Sequence, residues 1–147
     1  MENKYYTPTI EEFHVGFECE VYGFNPNNRL NNNIEKKWEK ITFSIEDINL
    51  LKDKYLDSFR VKYLDREDIE SLGFEYQDGK MIKGYSDNFI YKPNNNLQYN
   101  LTYVYAKNIL RIHVEDLVYF EESYNYLYQG KIKNKSELKR ILKQLNI

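Results

Sequence analysis

The sequence predicts a single α+β domain over residues 1–147, with two or three helices packed on one face of a mainly antiparallel, twisted sheet. Three observations lead to this fold class. Alternating apolar and polar residues mark more strands than helices, and most of the predicted connections are short. Neither an internal repeat nor a linker divides the chain. Short connections favour antiparallel neighbours, because parallel strands need long crossovers.

The first predicted strand covers residues 13–22, where apolar and polar side chains alternate strictly. Phe13, Val15, Phe17, Cys19 and Val21 fall on one face, and His14, Gly16, Glu18, Glu20 and Tyr22 fall on the other. A period of two is typical of a half-buried strand. Cys19 is therefore predicted to be a small core residue rather than a nucleophile.

A strand and a helix are predicted next. Asn and Pro favour a loop over residues 25–33, and a second strand is predicted over 36–45. A helix is predicted over 44–59, with Ser44 as its cap and Asp47 in the capping box. Apolar residues at helical spacing form its expected buried stripe: Ile48, Leu51, Tyr55, Leu56 and Phe59.

The middle of the chain predicts a short strand over 60–64 and then a short helix. Asp65 caps that helix and Gly73 ends it. A hairpin follows, because Asp78-Gly79 is a strong two-residue turn signal. The segment "KPNNN" is predicted to be a loop.

The last third predicts three strands and a helix. Strands over 97–106 and 109–116 pair through a turn at Lys107-Asn108, and another strand covers 124–132. Asn134 and Glu137 form a capping box for the C-terminal helix. Leu138, Ile141, Leu142 and Leu145 form its buried face. We expect this stripe and the Phe13–Val21 face to share one core.

Composition indicates a globular protein of the cytoplasm. Hydrophobic residues make up 41% and charged residues 30%, and the net charge of -2 provides no basic field for long nucleic acid or anionic membranes. No apolar run approaches the ~20 residues that span a bilayer. The N-terminus lacks the pattern of a signal peptide, and the single cysteine excludes an intrachain disulfide. The 15 tyrosines reflect either A/T-rich coding or a binding surface.

His14, Glu18 and Glu20 share the polar face of the first strand, which raises the question of a metal site. Residues four apart on a strand are separated by about 13 Å, so His14 and Glu18 cannot hold one ion directly. The sequence indicates no ligands from other strands. No metal and no cofactor are therefore predicted, and a solvated charged face is the favoured interpretation.

The segment "VGFECE" resembles the opening strand of amidoligases of the glutamate-cysteine ligase type. Those enzymes begin with G-x-E-x-E, here Gly16, Glu18 and Glu20, and the resemblance implies carboxylates that bind magnesium and ATP. It covers only a few residues, and those enzymes are larger. His14 and His113 have no recognisable nucleophile partner, and no phosphate-binding glycine loop is present. We predict a protein that is not an enzyme, with a metal-dependent amidoligase as an alternative.

Aromatic and cationic residues on the later strands predict a ligand-binding surface. Aromatic rings stack on bases, and arginine binds phosphate through two hydrogen bonds. The predicted ligand-binding residues are Arg60, Lys62, Tyr99, Tyr103, Tyr105, Arg111 and His113. The alternative is a sheet core capped by tyrosines, with the cations on the solvent side.

Three segments, "KYYTPTIEEFHVGFECE", "RVKYLDREDIESLGF" and "GKIKNKSELKRILKQLNI", resemble recurring blocks of small uncharacterised proteins of Bacteroides-type phages and prophages. The resemblance implies a setting inside a bacterial host and provides no catalytic residues. It favours an accessory protein, such as an anti-defence protein that sequesters a small anionic signalling nucleotide. The alternative is a module that binds a host or virion protein. Exposed sheet edges and tyrosines also predict a homo-oligomer.

Overall fold

The computed structural model describes residues 4–23, 37–51, 53–78, 85–117 and 125–147. The contacts divide the chain into two compact units, Met1–Tyr63 and Leu64–Ile147. Each unit contains an antiparallel sheet, and helices accompany the strands, so the α+β prediction is confirmed. The single-domain organisation stays a prediction. The predicted loop at 25–33 and the glycine of the Asp78-Gly79 turn lie outside the described residues.

The first unit contains a four-stranded sheet among its described residues. The spatial order is β1-β4-β2-β3, and every neighbouring pair is antiparallel. The strands are β1 (Tyr5–Tyr6), β2 (Glu18–Tyr22), β3 (Trp38–Thr42) and β4 (Phe59–Lys62). The strands predicted near residues 36–45 and 60–64 are therefore confirmed, with shorter bounds.

Aromatic rings dominate the core of the first unit. Its buried residues are Phe17, Cys19, Val21, Phe43, Phe59 and Val61. The ring of Phe13 packs against this cluster, and its centroid lies 5.2 Å from the ring centroids of Phe17, Phe43 and Phe59. The apolar face predicted for residues 13–21 thus reaches the core at four of its five positions.

The strand predicted over residues 13–22 is wrong in its first half. The chain turns at Val15 and Gly16, and β2 begins only at Glu18. Gly16 has a φ of +88°, which a residue with a side chain adopts only under strain. Its N–H donates to Phe43 O at 2.8 Å. Val15 lies on this turn and is 68% exposed, which the alternating pattern did not predict.

The α-helix predicted over residues 44–59 is replaced by two 3-10 helices, Ile45–Leu51 and Asp53–Ser58. The predicted Ser44–Asp47 interaction is present, because Ser44 N–H and Oγ both donate to Asp47 Oδ2 at 2.9 and 2.6 Å. A 3-10 helix has three residues per turn, so apolar residues spaced for an α-helix do not stay on one face. Ile48 is accordingly 55% exposed.

The second unit contains a five-stranded antiparallel sheet among its described residues, in the order β5-β6-β7-β8-β9. The strands are β5 (Glu75–Gln77), β6 (Ser86–Tyr91), β7 (Leu97–Val104), β8 (Ile109–Asp116) and β9 (Asn125–Lys131). The predicted turn between β7 and β8 is confirmed: a 3-10 turn, Tyr105–Lys107, leads to Asn108, whose φ of 51° is left-handed.

Two capped α-helices complete the second unit. Helix α1 (Arg66–Glu70) begins after Asp65, whose side chain accepts from Asp68 N–H at 3.1 Å. Helix α2 (Lys135–Leu145) begins after Asn134, whose Oδ1 accepts from Glu137 N–H at 3.0 Å. Both predicted N-cap residues are confirmed, and the Glu137 carboxylate accepts from Lys133 N–H at 2.6 Å. Among the described residues, neither helix is long and apolar enough to cross a membrane.

The core of the second unit joins the sheet to both helices. Leu101, Leu110 and Ile112 of the sheet form one buried cluster with Ile69 of α1 and Leu138 of α2. Phe17, Cys19 and Val21 belong to the other cluster, in the first unit. The expectation that the Phe13–Val21 face and the Leu138–Leu145 stripe share one core is therefore wrong.

Candidate functional site

The sequence-predicted ligand residues lie in both units and on both faces of one sheet. Arg60 and Lys62 belong to the first unit, and the other five belong to the second. Within the five-stranded sheet, Tyr103 pairs with Leu110, and Thr102 pairs with Arg111. Side chains alternate between the two faces of a strand. Tyr99 and Tyr103 therefore lie on the core face, and Arg111 and His113 lie on the opposite face.

The three predicted tyrosines pack within the second unit. Tyr103 is fully buried, and its hydroxyl donates to Asn108 Oδ1 at 3.0 Å and to Ile132 O at 3.3 Å. The Tyr105 hydroxyl donates to Asp87 Oδ2 at 2.7 Å, and burial, followed by this carboxylate, raises the pKa of Tyr105. The ring of Tyr99 stacks beside the ring of Tyr91, and their centroids are 6.3 Å apart. The ring of Tyr103 thus offers no face to a ligand.

Arg60 is held by three side chains of the first unit. Its Nη2 and Nε lie 2.6 and 2.7 Å from Glu20 Oε2. Its guanidinium carbon lies 4.0 Å from the centre of the Tyr5 ring and 4.1 Å from that of Trp38. Cation–π contact and ion pairing satisfy the same group. Lys62 is half-buried on the same face of β4.

Glu20 is therefore a charge partner of an arginine, which answers the question raised by the acidic residues of β2. Glu18 is exposed on the same strand, and Gly16 lies on the turn before it. Among the described residues, no group of three or more His, Cys, Asp or Glu side chains is placed to hold a metal ion. Among the described residues, the fold adds no further acidic ligands to Gly16, Glu18 and Glu20, the residues that resemble the amidoligase pattern.

The face of the five-stranded sheet opposite its core carries a band of polar side chains, which we call the polar face. Its members include Asn88, Gln98, Asn100, Thr102, Arg111, His113, Glu115 and Tyr126, together with Glu75, Gln77 and Gln129 on the outer strands. Tyr126 and these last three residues are exposed, and the others are half-buried. Polar atoms that are buried within this band need hydrogen-bond partners within the protein or from a ligand.

Hydrogen bonds connect much of the polar face. Thr102 Oγ1 donates to Asn88 Oδ1 at 2.7 Å. Gln98 Nε2 donates to Asn100 Oδ1 at 2.8 Å and to Glu115 Oε2 at 3.3 Å. His113 Nε2 lies 3.6 Å from Glu115 Oε1. The bond from Gln98 satisfies Oδ1 of Asn100, so the Nδ2 side of this amide remains available for a further hydrogen bond.

Two buried donors of the polar face lack an acceptor. Asn100 Nδ2 and Arg111 Nε are both inaccessible to solvent, and neither has a hydrogen-bond partner among the described residues. Asn100 pairs with His113, and Thr102 pairs with Arg111, so the two donors lie on adjacent strands as diagonal neighbours. Both groups are N–H donors, so one acceptor-rich group placed between them would satisfy both.

A β-bulge places an aromatic ring beside these donors. The pairing of β8 with β9 shifts between Ile112, which pairs with Tyr128, and His113, which pairs with Tyr126. Leu127 is the extra residue of the bulge. The Tyr126 and His113 ring centroids are 6.1 Å apart with a T-shaped geometry, and Tyr126 is 56% exposed. Bulges are frequent next to binding sites, where they redirect a side chain.

Sequence reasoning identified Arg111 and His113 and missed Asn100 and Tyr126. Asn100 had a usable signal, because strict alternation along β7 places it on the face opposite Tyr99 and Leu101. Tyr126 had none. In a regular register Leu127 would lie opposite His113, and only the bulge places Tyr126 there.

Comparison with known proteins found no match: no family model, no curated protein and no solved structure corresponds to this chain. The candidate site therefore stands on its geometry.

Proposed function

We propose that this protein binds a small anionic ligand of the nucleotide class on the polar face and releases it chemically unchanged. One observation carries the proposal: Asn100 Nδ2 and Arg111 Nε are buried donors without acceptors in the described part of the chain. An unsatisfied buried donor costs about 1–3 kcal/mol, and more when it is charged. A ligand that these half-buried side chains turn outward to meet supplies the missing acceptor and recovers this cost on binding.

The chemistry of the two donors favours an oxyanion. A phosphate oxygen accepts hydrogen bonds from an amide and a guanidinium together, and arginine binds phosphate more strongly than a neutral donor does. A neutral carbonyl satisfies the same geometry but leaves the Arg111 charge uncompensated by the ligand. The nearby Glu115 carboxylate is four residues along β8 from Arg111, about 13 Å, too far to serve as its acceptor.

Tyr126 supports the nucleotide class. Its ring is exposed beside His113 and is available to stack on a base. Such stacking contributes about 1–3 kcal/mol, and a charge-assisted bond to phosphate about 1.5–3 kcal/mol. Two or three contacts of this kind contribute roughly 2.5–9 kcal/mol before the cost of association is subtracted.

The resemblance to phage and prophage proteins supports an accessory role in which binding itself is the activity. A compact protein that sequesters a signalling nucleotide needs a site and no catalytic group. The net charge of -2 favours a small ligand over long nucleic acid, because binding of long nucleic acid depends on an extended basic surface.

A second candidate function is a protein-binding module. Strand β9 lies at the edge of its sheet, and Tyr126 and Leu127 on it are 56% and 39% exposed. Exposed aromatic residues on an edge strand suit binding of another chain. This function makes no use of the two unsatisfied donors, which is why the ligand-binding function is preferred.

Nucleotide depletion tests the proposal. The protein is incubated with a panel of signalling nucleotides, and each is measured in solution before and after heat denaturation of the protein. We expect depletion and intact recovery for wild type, and loss of depletion for Arg111→Met. Arg140→Met, which removes an exposed charge from α2, is the matched control and retains depletion.

Three results would contradict this function. Chemical change of the nucleotide indicates an enzyme, and equal depletion by wild type and Arg111→Met indicates another site. An absence of depletion, together with specific recovery of a host protein on the immobilised chain, favours the protein-binding module.

A further inference from the structure

Strand β8 presents three functional groups in a row on the polar face. Arg111, His113 and Glu115 alternate with Ile112 and Val114, which face the other side of the sheet, so neighbouring members of the row are about 6.6 Å apart. The row begins at an unsatisfied guanidinium donor, continues beside the exposed Tyr126 ring and ends at a carboxylate. A nucleotide has the same order of parts, from phosphate through sugar and ring to the groups at the edge of the base.

We propose that Glu115 accepts a hydrogen bond from the exocyclic amino group of a bound base, so that the site selects amino-bearing bases over keto-bearing ones. This inference rests on the proposed function and adds an orientation and a specificity. The phosphate lies at Arg111 and Asn100, the base lies against Tyr126, and the amino edge meets Glu115.

Glu115 retains acceptor capacity for such a bond. A carboxylate offers about four lone-pair positions. Its known contacts are long: Oε2 accepts from Gln98 Nε2 at 3.3 Å, and Oε1 lies 3.6 Å from His113 Nε2. The Glu115 side chain is 43% exposed, so a ligand can approach it. Gln98 and His113 also fix the position of the carboxylate, which limits the entropy lost on binding.

The charge of Glu115 also fixes the direction of the ligand. A phosphate placed at this end of the row meets a carboxylate, and like charges repel. A keto oxygen at the base edge is an acceptor facing another acceptor, so it leaves the carboxylate unpaired. Adenine and cytosine carry an amino group where hypoxanthine and uracil carry a keto oxygen. The pairs AMP and IMP, and CMP and UMP, therefore isolate this contact.

Calorimetric titration of these four monophosphates into wild-type protein tests the inference without any variant. We expect AMP to bind about 10-fold more tightly than IMP, and CMP about 10-fold more tightly than UMP, which corresponds to 1.4 kcal/mol. Glu115→Gln offers both a donor and an acceptor, so both ratios should fall below about 3-fold. Glu67→Gln removes an exposed carboxylate from α1, away from the polar face, and should leave the ratios unchanged.

The results of these titrations distinguish a failure of the Glu115 contact from a failure of the anion site at Arg111. Equal binding of amino and keto bases, abolished by Arg111→Met, overturns the role of Glu115 and leaves the anion site standing. Unequal binding that Glu115→Gln does not reduce also overturns it. If none of the four ligands binds, both the proposed function and the inference fail.

Discussion

Arg60 and Arg111 both occupy polar positions of strands, but the surroundings of their guanidinium groups differ. Arg60 pairs with Glu20 and lies between two aromatic rings. Arg111 has a buried Nε with no acceptor in the described part of the chain. The sequence predicted both as ligand residues because both lie at polar positions of strands. It does not contain the cross-strand register, which decides whether a carboxylate lies opposite.

Replacing Tyr103 tests whether its hydroxyl stabilises the second unit or takes part in ligand binding. Replacement by Phe removes its hydroxyl bonds to Asn108 and Ile132, so the free energy of unfolding should fall by about 1–2 kcal/mol. Urea denaturation measures the change. Nucleotide depletion at a concentration where the variant is folded should equal that of wild type, and a selective loss of binding would place Tyr103 in the site.

Cys19 makes the stability of the first unit sensitive to alkaline pH. Burial, then the charges of Asp47 and Glu20, raise the pKa of the thiol from 9.0 to about 12. The unfolded chain loses this proton first, so the stabilisation is complete below pH 9 and is lost as the pH rises towards 12. Between pH 9 and 10 the unfolding free energy should fall by up to about 1.4 kcal/mol per pH unit.

Urea denaturation of wild type and Cys19→Ala across this interval measures the effect. The variant is less stable at neutral pH, because it loses packing, but its slope with pH should be shallower. Parallel slopes would show that other groups, such as the tyrosines, cause the alkaline loss.

At the scale of elements, periodicity predicted the second unit better than the first. Strands β7, β8 and β9 and both capped helices occur where the sequence predicts them. In the first unit, Phe13 and Phe17 reach the same core from either side of a turn, which imitates the period of a strand. In the sequence, only Gly16 indicates that the predicted strand is interrupted by a turn. The 3-10 helices have no comparable signal, because capping residues serve both helix types.

Gly130 tests how a bulged edge strand is packed. A Cβ at this position would lie 2.8 Å from Tyr128 Cζ and closer still to its hydroxyl, so the ring lies across the glycine. Gly130→Ala should lower the unfolding free energy by about 1–3 kcal/mol through this clash. In a Tyr128→Leu background the same substitution should cost much less. Equal costs in both backgrounds would exclude the clash as the cause.

At the scale of the whole molecule, we expect the edge of the second sheet to form a dimer interface. Strand β9 ends the order β5-β6-β7-β8-β9, and edge strands offer unpaired backbone groups. We expect a two-fold dimer, measured as twice the chain mass by light scattering at tens of micromolar. Leu127→Asp, at a residue that is 39% exposed on this strand, should shift the mass towards the monomer if this edge forms the interface. A monomeric wild type at that concentration would contradict the expectation.

The fold class follows from strand and helix periodicity, whereas the candidate site depends on geometry that periodicity does not contain. Alternation assigns Arg111 and His113 to one face, as predicted. It does not reveal that Asn100 is left with an unpaired donor, or that a bulge places Tyr126 opposite His113. Both facts arise from pairing between strands distant in sequence, which a local pattern cannot specify.

Side-chain resonances of Arg111 and Asn100 report whether a bound ligand supplies the acceptor that these two donors lack. Proton–nitrogen correlation spectra are recorded in slightly acidic buffer during titration with AMP, with assignments from Arg111→Lys and Asn100→Ala. We expect the Arg111 Nε–H and Asn100 Nδ2 signals to shift together and to saturate with the binding curve, while the Arg140 Nε–H signal stays in place. Saturable binding of AMP that leaves both signals unmoved would contradict this expectation.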